Sequence, residues 1–270
     1  MKKHKAILAV SFGTGCRKEL DMTIGAIEKT IAAAFPDYSV CRAFTSRAVI
    51  GRLKEQGGLD VDDVEKALDR AADDGAAELI VQPTHLLEGH DYTELRKILK
   101  KKQGKFSRAA VGRPLLSSDA DLDAVIRAVT DRTAGLGGKE TAICLMGHGT
   151  EGEGNNVYAR MQDKLERGGC GSYYIGVMES RPSLEEVLQM MEGRGYQKVV
   201  LMPLMVTAGH HARKEMAGDG KNSWKSVLES RGYEVRCVME GLGQIPAVRN
   251  IYADHAREAM QKDYGFDNFP

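Results

Sequence analysis

The stretch KVVLMPLMVTAGHH, Lys198–His211, is an apolar run of strand length that ends in Gly-His-His. An earlier stretch, ELIVQPTHLLEGHD at Glu78–Asp91, follows the same pattern 120 positions before it. Three positions are identical between the two stretches: Pro83 with Pro203, Gly89 with Gly209, and His90 with His210. A match of this kind at a fixed offset indicates an internal repeat.

Two further pairs of stretches occur in the same order along the chain. AILAVSFGTG (Ala6–Gly15) resembles AICLMGHGTE (Ala142–Glu151), and SVCRAFTSR (Ser39–Arg47) resembles YYIGVMESR (Tyr173–Arg181). Their offsets of 136 and 134 positions place these residues opposite one another: Phe12 and His148, and Thr45 and Glu179. Strand-and-turn composition can produce one such pair by chance, but three in one order predict a duplicated α/β unit.

Eight apolar runs of strand length alternate with segments of helical periodicity. Since the runs are apolar on both faces, they are typical of parallel strands covered by helices on both sides. We therefore predict the α/β class, with two similar, doubly wound parallel-sheet domains. The Gly-rich polar stretch TDRTAGLGGKET, Thr130–Thr141, marks the break, so we expect an N-terminal domain at residues 1–133 and a C-terminal domain at residues 134–270.

The composition excludes several classes of partner. The 270 residues carry 38 Lys and Arg against 38 Asp and Glu, so no global field favours nucleic acid or an anionic membrane. No apolar run approaches the roughly 20 residues of a membrane span, and the N-terminal one is too short for a signal peptide. The five cysteines form no Cys-x-x-Cys pair. We predict a cytoplasmic protein without nucleic-acid or membrane partners.

The two halves differ at the carboxyl ends of their strands, where open parallel sheets bind ligands. His148, Glu179 and His211 stand in the second half where the first half has Phe12, Thr45 and Asp91. Imidazoles with carboxylates suit a borderline divalent ion such as Co²⁺, Fe²⁺, Ni²⁺ or Zn²⁺. Because so few protein ligands are available, coordination positions stay open, as in a catalytic or transient site.

Other functions compete with a metal site. The Gly-rich GHGTEGEGNN, residues 147–156, can form a phosphate cradle, although it has neither Walker spacing nor the Walker lysine. No H-E-x-x-H motif or Gly-x-Ser-x-Gly elbow is present. A metal-binding carrier or sensor would use the same histidines without catalysing a reaction.

A series of motifs in the chain resembles the anaerobic-type sirohydrochlorin cobaltochelatases, class II chelatases related to protoporphyrin ferrochelatase. The resemblance extends from Ile7 to about His255 and rests on AVSFGTG, RAFTS, QPTHLLEGHDY, RPLLSS, LMGHGT, GVMESRP, LMPLMVTAGHHARKEMAGD and GLGQIPAVR. It implies a ferrochelatase-like fold with the active site in the cleft between two domains. It also implies an enzyme, a lyase, that inserts a divalent metal into sirohydrochlorin without ATP, with loss of two pyrrolic protons, in cobalamin or related tetrapyrrole biosynthesis.

The resemblance also implies site residues. His148 corresponds to the family's first metal-binding histidine and proton acceptor, His211 to its second histidine, and Glu179 to the glutamate of its Glu-Ser pair. Asp91 stands where the family has a metal-binding glutamate. His210 is a departure, since the family commonly has an acid there; its role, like those of Glu88 and His90, is left open.

The expected ligands are a metal and a poly-carboxylate. No organic cofactor is implied, and the metal is a substrate: Co²⁺ first, with Fe²⁺ and Ni²⁺, and hence a ferro- or nickelochelatase, as alternatives. Arginines near predicted strand ends can bind the substrate carboxylates in forked contacts; these are Arg47, Arg113, Arg181 and Arg213. Homo-oligomerisation is compatible with the sequence.

Overall fold

The computed structural model describes residues 4–55, 59–150 and 152–262. Over these residues the chain forms two four-stranded, fully parallel sheets with the strand orders β2-β1-β3-β4 and β6-β5-β7-β8. The strands are β1 (His4–Ser11), β2 (Ser39–Phe44), β3 (Ala76–Pro83), β4 (Arg108–Val111), β5 (Thr141–Gly147), β6 (Tyr173–Val177), β7 (Lys198–Pro203) and β8 (Glu234–Cys237). The α/β class and the two parallel sheets are confirmed.

Helices connect the strands in the order expected for parallel pairing. They are α1 (Arg17–Met22), α2 (Ile24–Ala34), α3 (Arg47–Glu55), α4 (Val64–Asp73), α5 (His90–Lys102), α6 (Asp119–Thr133), α7 (Asn156–Arg167), α8 (Leu184–Met191), α9 (Trp224–Ser230) and α10 (Pro246–Lys262). A capping box starts α8, in which Ser183 accepts from the Glu186 amide and Glu186 accepts from the Ser183 amide. No helix in residues 4–55, 59–150 or 152–262 is long and apolar enough to cross a bilayer.

The central strands are buried on both faces, as their apolar sequences predict. All seven residues of β5 are buried, and so are the last five residues of β3. Both β3 and β7 end at a proline, Pro83 and Pro203, although their apolar runs continue for several residues. The amide after each proline still donates to the neighbouring strand, Thr84 to Val10 and Leu204 to Met146. The remaining apolar residues form the turn above the sheet.

The duplication is confirmed by strand register. Ala6 pairs with Leu79 in the first sheet, and the residues at the corresponding offsets, Ala142 and Val199, pair in the second. The two halves also share an unusual backbone conformation, since Gly13 has φ +101° and Gly149, 136 positions later, has φ +97°. Glu151, at the end of the matching stretch, lies outside the described residues.

One predicted equivalence is shifted by a residue. The Glu179 amide donates to the His148 carbonyl, and in the first half the amide that donates to the Phe12 carbonyl is that of Ser46. Glu179 is therefore the counterpart of Ser46 and not of Thr45. The shared Ser-Arg pair suggested an offset of 134, whereas the backbone hydrogen bonds require 133 at this strand end.

The chain divides into two compact units whose limits differ from the predicted 133/134 boundary. One unit runs up to Ser117 and resumes at Pro246, and the other is Ser118–Ile245. α6 therefore belongs to the second unit, where it packs against α7, and α10 belongs to the first, where it packs against α2, β3 and β4. The Gly-rich stretch Thr130–Thr141 lies within the second unit, where it contains the end of α6, a 3-10 turn at Ala134–Leu136 and the start of β5. The boundaries between the units instead follow the packing of α6 and α10.

Candidate metal and active site

Three of the expected side chains meet at the carboxyl edge of the second sheet. His148 directly follows β5, Glu179 lies two residues after β6, and His211 lies in a helical turn that begins at His210, after β7. Because β5 is central and pairs with both β6 and β7, the three strand ends are neighbours. The topology thus brings together residues that are far apart in the sequence.

The two imidazoles are the closest elements of this group. The ring centroids of His148 and His211 are 4.5 Å apart, with an angle of 85° between the ring planes. The Nδ1 atom of His148 lies 3.7 Å from Oε2 of Glu179 and 3.1 Å from the carbonyl oxygen of Gly149. The Glu179 side chain keeps 59% of its surface exposed, so it is free to reorient towards a ligand.

Glycines on both sides of His148 are required by the packing beneath it. A Cβ at Gly147 would lie 2.5 Å from the ring of Tyr158, which is buried. A Cβ at Gly149 would lie 2.8 Å from the Val177 side chain, and the φ of +97° is itself one that other residues rarely adopt. The Gly-His-Gly sequence therefore lets the backbone lie close to the sheet while the imidazole stays at its edge.

The surroundings of His211 favour its neutral form. Burial lowers the pKa of His211 below its ordinary value, and the adjacent His148 lowers it further. A neutral imidazole has a lone pair for a metal or a proton. His210 differs from it, because this residue is exposed and its ring centroid is 5.7 Å from that of His211.

Asp91 lies in the other structural unit, in the first turn of α5, so its place beside the histidine pair stays a prediction. In the described parts of the chain, no group of three or more His, Cys, Asp or Glu side chains is arranged to hold a metal ion. His148, His211 and Glu179 are therefore a candidate centre built on one close imidazole pair and an adjacent carboxylate, and not a preformed metal site.

The four arginines proposed for substrate carboxylates have different surroundings. Arg113 lies 3.0 Å from Glu258 of α10, with 19% of its side chain exposed. Arg181 is 88% exposed and lies 3.4 Å from Glu186. Arg47 and Arg213 are also exposed. Arg113 must exchange one anionic partner for another to contact a substrate carboxylate, whereas Arg181 is largely accessible.

Two polar residues near the strand ends were not predicted as site residues from the sequence. Glu215 follows His211 by four residues, and its Oε2 lies 3.5 Å from Nδ1 of that histidine. His85, after β3, is only half-buried as a residue, but both of its ring nitrogens are out of solvent contact. Neither nitrogen has a hydrogen-bond partner among the residues that the structure describes. Burial lowers the pKa of His85 to about 4. The offset of 120 positions pairs His85 with Met205 inside the matching stretches, and Glu215 with Leu95 just beyond them. This contrast between a polar and an apolar residue is the signal that could have found both.

Comparison with solved structures identifies the fold. The structure of SirB from Bacillus subtilis with Fe³⁺ matches with a TM-score of 0.66 and 16% identity, over 98% of this chain and 100% of that one. At such low identity the match shows the fold alone. That fold is the chelatase type, with two α/β units.

Sequence comparisons then identify the family. The model of the cobalt chelatase family, CbiK, matches residues 5–261. A curated relative, the sirohydrochlorin cobaltochelatase of Salmonella typhimurium, is 32% identical over 256 residues, which is 95% of this chain and 96% of the relative. The sirohydrochlorin cobaltochelatase CbiKC of Nitratidesulfovibrio vulgaris is 29% identical over 258 residues, covering 95% and 90%. The chain belongs to the cobalt chelatase (CbiK) family and is a metal chelatase.

Proposed function

We propose that this protein inserts Co²⁺ into sirohydrochlorin without ATP, releasing two pyrrolic protons. The observation that carries the proposal is the pairing of His148 and His211, with ring centroids 4.5 Å apart, in a chain of the cobalt chelatase family. The names of two curated relatives supply the tetrapyrrole, sirohydrochlorin. In a structural zinc site, four protein ligands fill all the coordination positions. Two imidazoles instead leave coordination positions open for the nitrogens of the tetrapyrrole ring.

The histidines have two tasks in this proposal. His148 and His211 bind the incoming metal, and Asp91 contributes a carboxylate ligand. His148 then accepts a pyrrolic proton when its bond to the metal is exchanged for a ring nitrogen. Neutral imidazole suits both tasks, and the burial that lowers the pKa of His211 favours this neutral form near pH 7.

Glu179 is proposed to accept the second pyrrolic proton. Its carboxylate lies 3.7 Å from His148 Nδ1 and is mostly exposed, so it can contact both the imidazole and a bound macrocycle. Arg47, Arg113, Arg181 and Arg213 are proposed to bind the carboxylates of sirohydrochlorin. A macrocycle held in a bent form would direct its nitrogen lone pairs to the metal. A site that binds this bent form more strongly than the flat substrate stabilises the transition state.

We assign the reaction to cobalamin biosynthesis in the cytoplasm, with the metal as substrate and without an organic cofactor. Fe²⁺ and Ni²⁺ accept the same imidazole ligands, so ferrochelatase and nickelochelatase activities are the alternatives to be tested. A homo-oligomeric state stays a prediction.

The test mixes purified protein with sirohydrochlorin and Co²⁺ and follows the visible spectrum of the ring. A rate well above the spontaneous one supports the proposal, and Fe²⁺ and Ni²⁺ in parallel establish the preferred metal. Tight stoichiometric Co²⁺ binding without faster insertion would instead identify a carrier. A protein that neither binds Co²⁺ nor accelerates insertion would refute the proposal.

A further inference from the structure

Glu215 and His211 face one another through atoms that form no hydrogen bond within the part of the chain that the structure describes. Oε2 of Glu215 lies 3.5 Å from Nδ1 of His211, and both atoms are out of contact with solvent. Neither forms a hydrogen bond elsewhere within the described residues. At 3.5 Å the two atoms are within ion-pair distance but do not form a hydrogen bond. Because a buried carboxylate oxygen and a buried ring nitrogen are costly to leave unpaired, a slight closure of this gap would satisfy both atoms.

The local helix geometry favours this contact. His211 leads into a π-helical turn at Ala212–Met216, where the Ala217 amide donates to the Ala212 carbonyl five residues earlier. Residues four apart share a face of a helix, and a wider turn places them more nearly one above the other. Such turns occur often at functional sites.

The first half of the molecule shows what this position contains in the absence of an imidazole. At the offset of 120 positions, Asp91 corresponds to His211 and Leu95 to Glu215. Leu95 is completely buried in the core of the first unit, in the regular helix α5. Replacing a core leucine by a carboxylate is unfavourable by itself. The acid occurs in the half whose potential ligand is a histidine, which needs an acceptor for its second nitrogen.

We propose that Glu215 is a positioning residue that accepts a hydrogen bond from Nδ1–H of His211. This bond selects the imidazole tautomer with an unprotonated Nε2 and orients that nitrogen towards the metal, as carboxylate partners do for metal-binding histidines. The inference rests on the proposed function in one respect, since it takes His211 as a metal ligand.

His148 obtains the same tautomer by another route. Its Nδ1 lies 3.1 Å from the carbonyl oxygen of Gly149, which can only accept, so Nδ1 carries the proton there. The two imidazoles then both offer Nε2, one held by the backbone and the other by Glu215. A pair of ligands with matched tautomers is ready for an ion without proton rearrangement.

The first test reads the tautomer directly and needs neither metal nor substrate. In ¹⁵N-labelled, metal-free protein at pH 8, the ring nitrogens of His211 are assigned by comparison with His211→Ala. We expect the Nδ1–H form in the wild type, and a shift towards Nε2–H, the form that free imidazole side chains prefer, in Glu215→Leu. A wild-type ring protonated at Nε2, or a ring unaffected by Glu215→Leu, would overturn the inference.

The second test measures Co²⁺ affinity. Glu215→Leu should weaken binding 10- to 100-fold, the usual effect of removing a histidine's outer partner. Glu215→Gln keeps a side-chain carbonyl acceptor and should recover most of the affinity. Glu185→Leu removes an exposed acid of α8 in the same unit and serves as the charge-matched control, for which no change is expected.

These outcomes separate the inference from the proposed function. If the wild type inserts Co²⁺ and Glu215→Leu binds the metal equally well, the positioning role fails and the function stands. If the wild type neither binds nor inserts Co²⁺, the function fails, while the tautomer measurement still decides the role of Glu215. Thermal unfolding checks that Glu215→Leu is folded, as the leucine at the equivalent position of the first half leads us to expect.

Discussion

At the scale of single residues, the centre depends on which of two adjacent histidines faces the ligand. His211 has its ring against that of His148 and carries a buried Nδ1, whereas His210 is exposed beside it. Burial and a close imidazole neighbour keep the pKa of His211 low. These surroundings favour His211 over His210 as the proposed metal ligand.

Replacement of the three histidines should therefore have unequal effects. We expect His148→Ala and His211→Ala each to reduce Co²⁺ insertion almost to the spontaneous rate, because each removes a ligand of the pair. His210→Ala should reduce metal affinity about tenfold or less, the low end for a group outside the ligand set. Co²⁺ titration and insertion rates measure all three, and an inactive His210→Ala beside an active His211→Ala would reverse the assignment.

Glu179→Gln tests the second proton acceptor. The substitution keeps the shape of the side chain and removes the base, so insertion should slow at least tenfold, about 1.4 kcal/mol of barrier. Because the side chain is 59% exposed, the unfolding free energy should change by less than about 0.5 kcal/mol. Normal insertion kinetics in a folded Glu179→Gln protein would leave Glu179 without a catalytic role.

We expect His85 to make the stability of the protein depend on pH. Burial lowers its pKa from 6.5 to about 4, so the unfolded state takes up a proton first as the pH falls. The contribution of neutral His85 to the free energy of unfolding should be fully present above pH 6.5. It should be lost progressively as the pH falls towards 4, by about 3 kcal/mol in total. His85→Met, which copies Met205 of the second half, should flatten this dependence.

Denaturant unfolding at several pH values measures the effect of His85. His90→Met, which alters an exposed histidine of the same unit, is the control and should retain the wild-type slope. An identical slope for His85→Met and the wild type would show that His85 does not titrate with folding.

At the scale of elements, strand ends and their glycine turns set the positions of the reactive groups. Gly13 and Gly149 both have positive φ, and an added Cβ would lie 2.7 Å from Phe44 in one half and 2.8 Å from Val177 in the other. The same turn therefore carries Phe12 in the first unit and His148 in the second. The element is conserved between the halves of the molecule, while the side chain it presents has changed.

Alanine at these two glycines gives a matched pair of variants. Gly13→Ala and Gly149→Ala should each lower the unfolding free energy by about 1–3 kcal/mol, through backbone strain and overpacking. Gly149→Ala should also weaken Co²⁺ binding, because the Gly149 carbonyl accepts from His148. Denaturant unfolding and Co²⁺ titration of both variants measure these effects. Equal Co²⁺ affinity in the two variants would show that the turn at Gly149 does not contribute to metal binding.

At the scale of the whole molecule, the two compact units are not the two halves of the sequence. α6 is joined to β6 by a buried hydrogen bond between Thr133 and Tyr173. Tyr252 of α10 donates to the Thr84 carbonyl above β3. Each helix therefore completes a unit to which the simple halves would not assign it.

Isolated fragments distinguish these divisions. A fragment of residues 118–245 should unfold cooperatively, whereas 134–270 should not, because it lacks α6 and carries α10 without its partners. Leu122, Val125 and Val129 of α6 are almost completely buried, and losing their burial costs roughly 5–9 kcal/mol. Circular dichroism during thermal unfolding provides the measurement, and a cooperative transition in the 134–270 fragment would contradict the division.

The sequence by itself determined what local patterns can specify. Apolar runs predicted the eight strands, and three pairs of matching stretches predicted the duplication and the Phe12–His148 equivalence. Strand burial and turn chemistry depend on neighbouring residues, so local patterns can specify them. Only the tertiary structure showed that α6 belongs to the second unit and α10 to the first. It alone also showed the one-residue shift that pairs Glu179 with Ser46 and the approach of Glu215 to His211. Helix docking, backbone registration and side-chain contact depend on packing between segments distant in the chain, which no local pattern records.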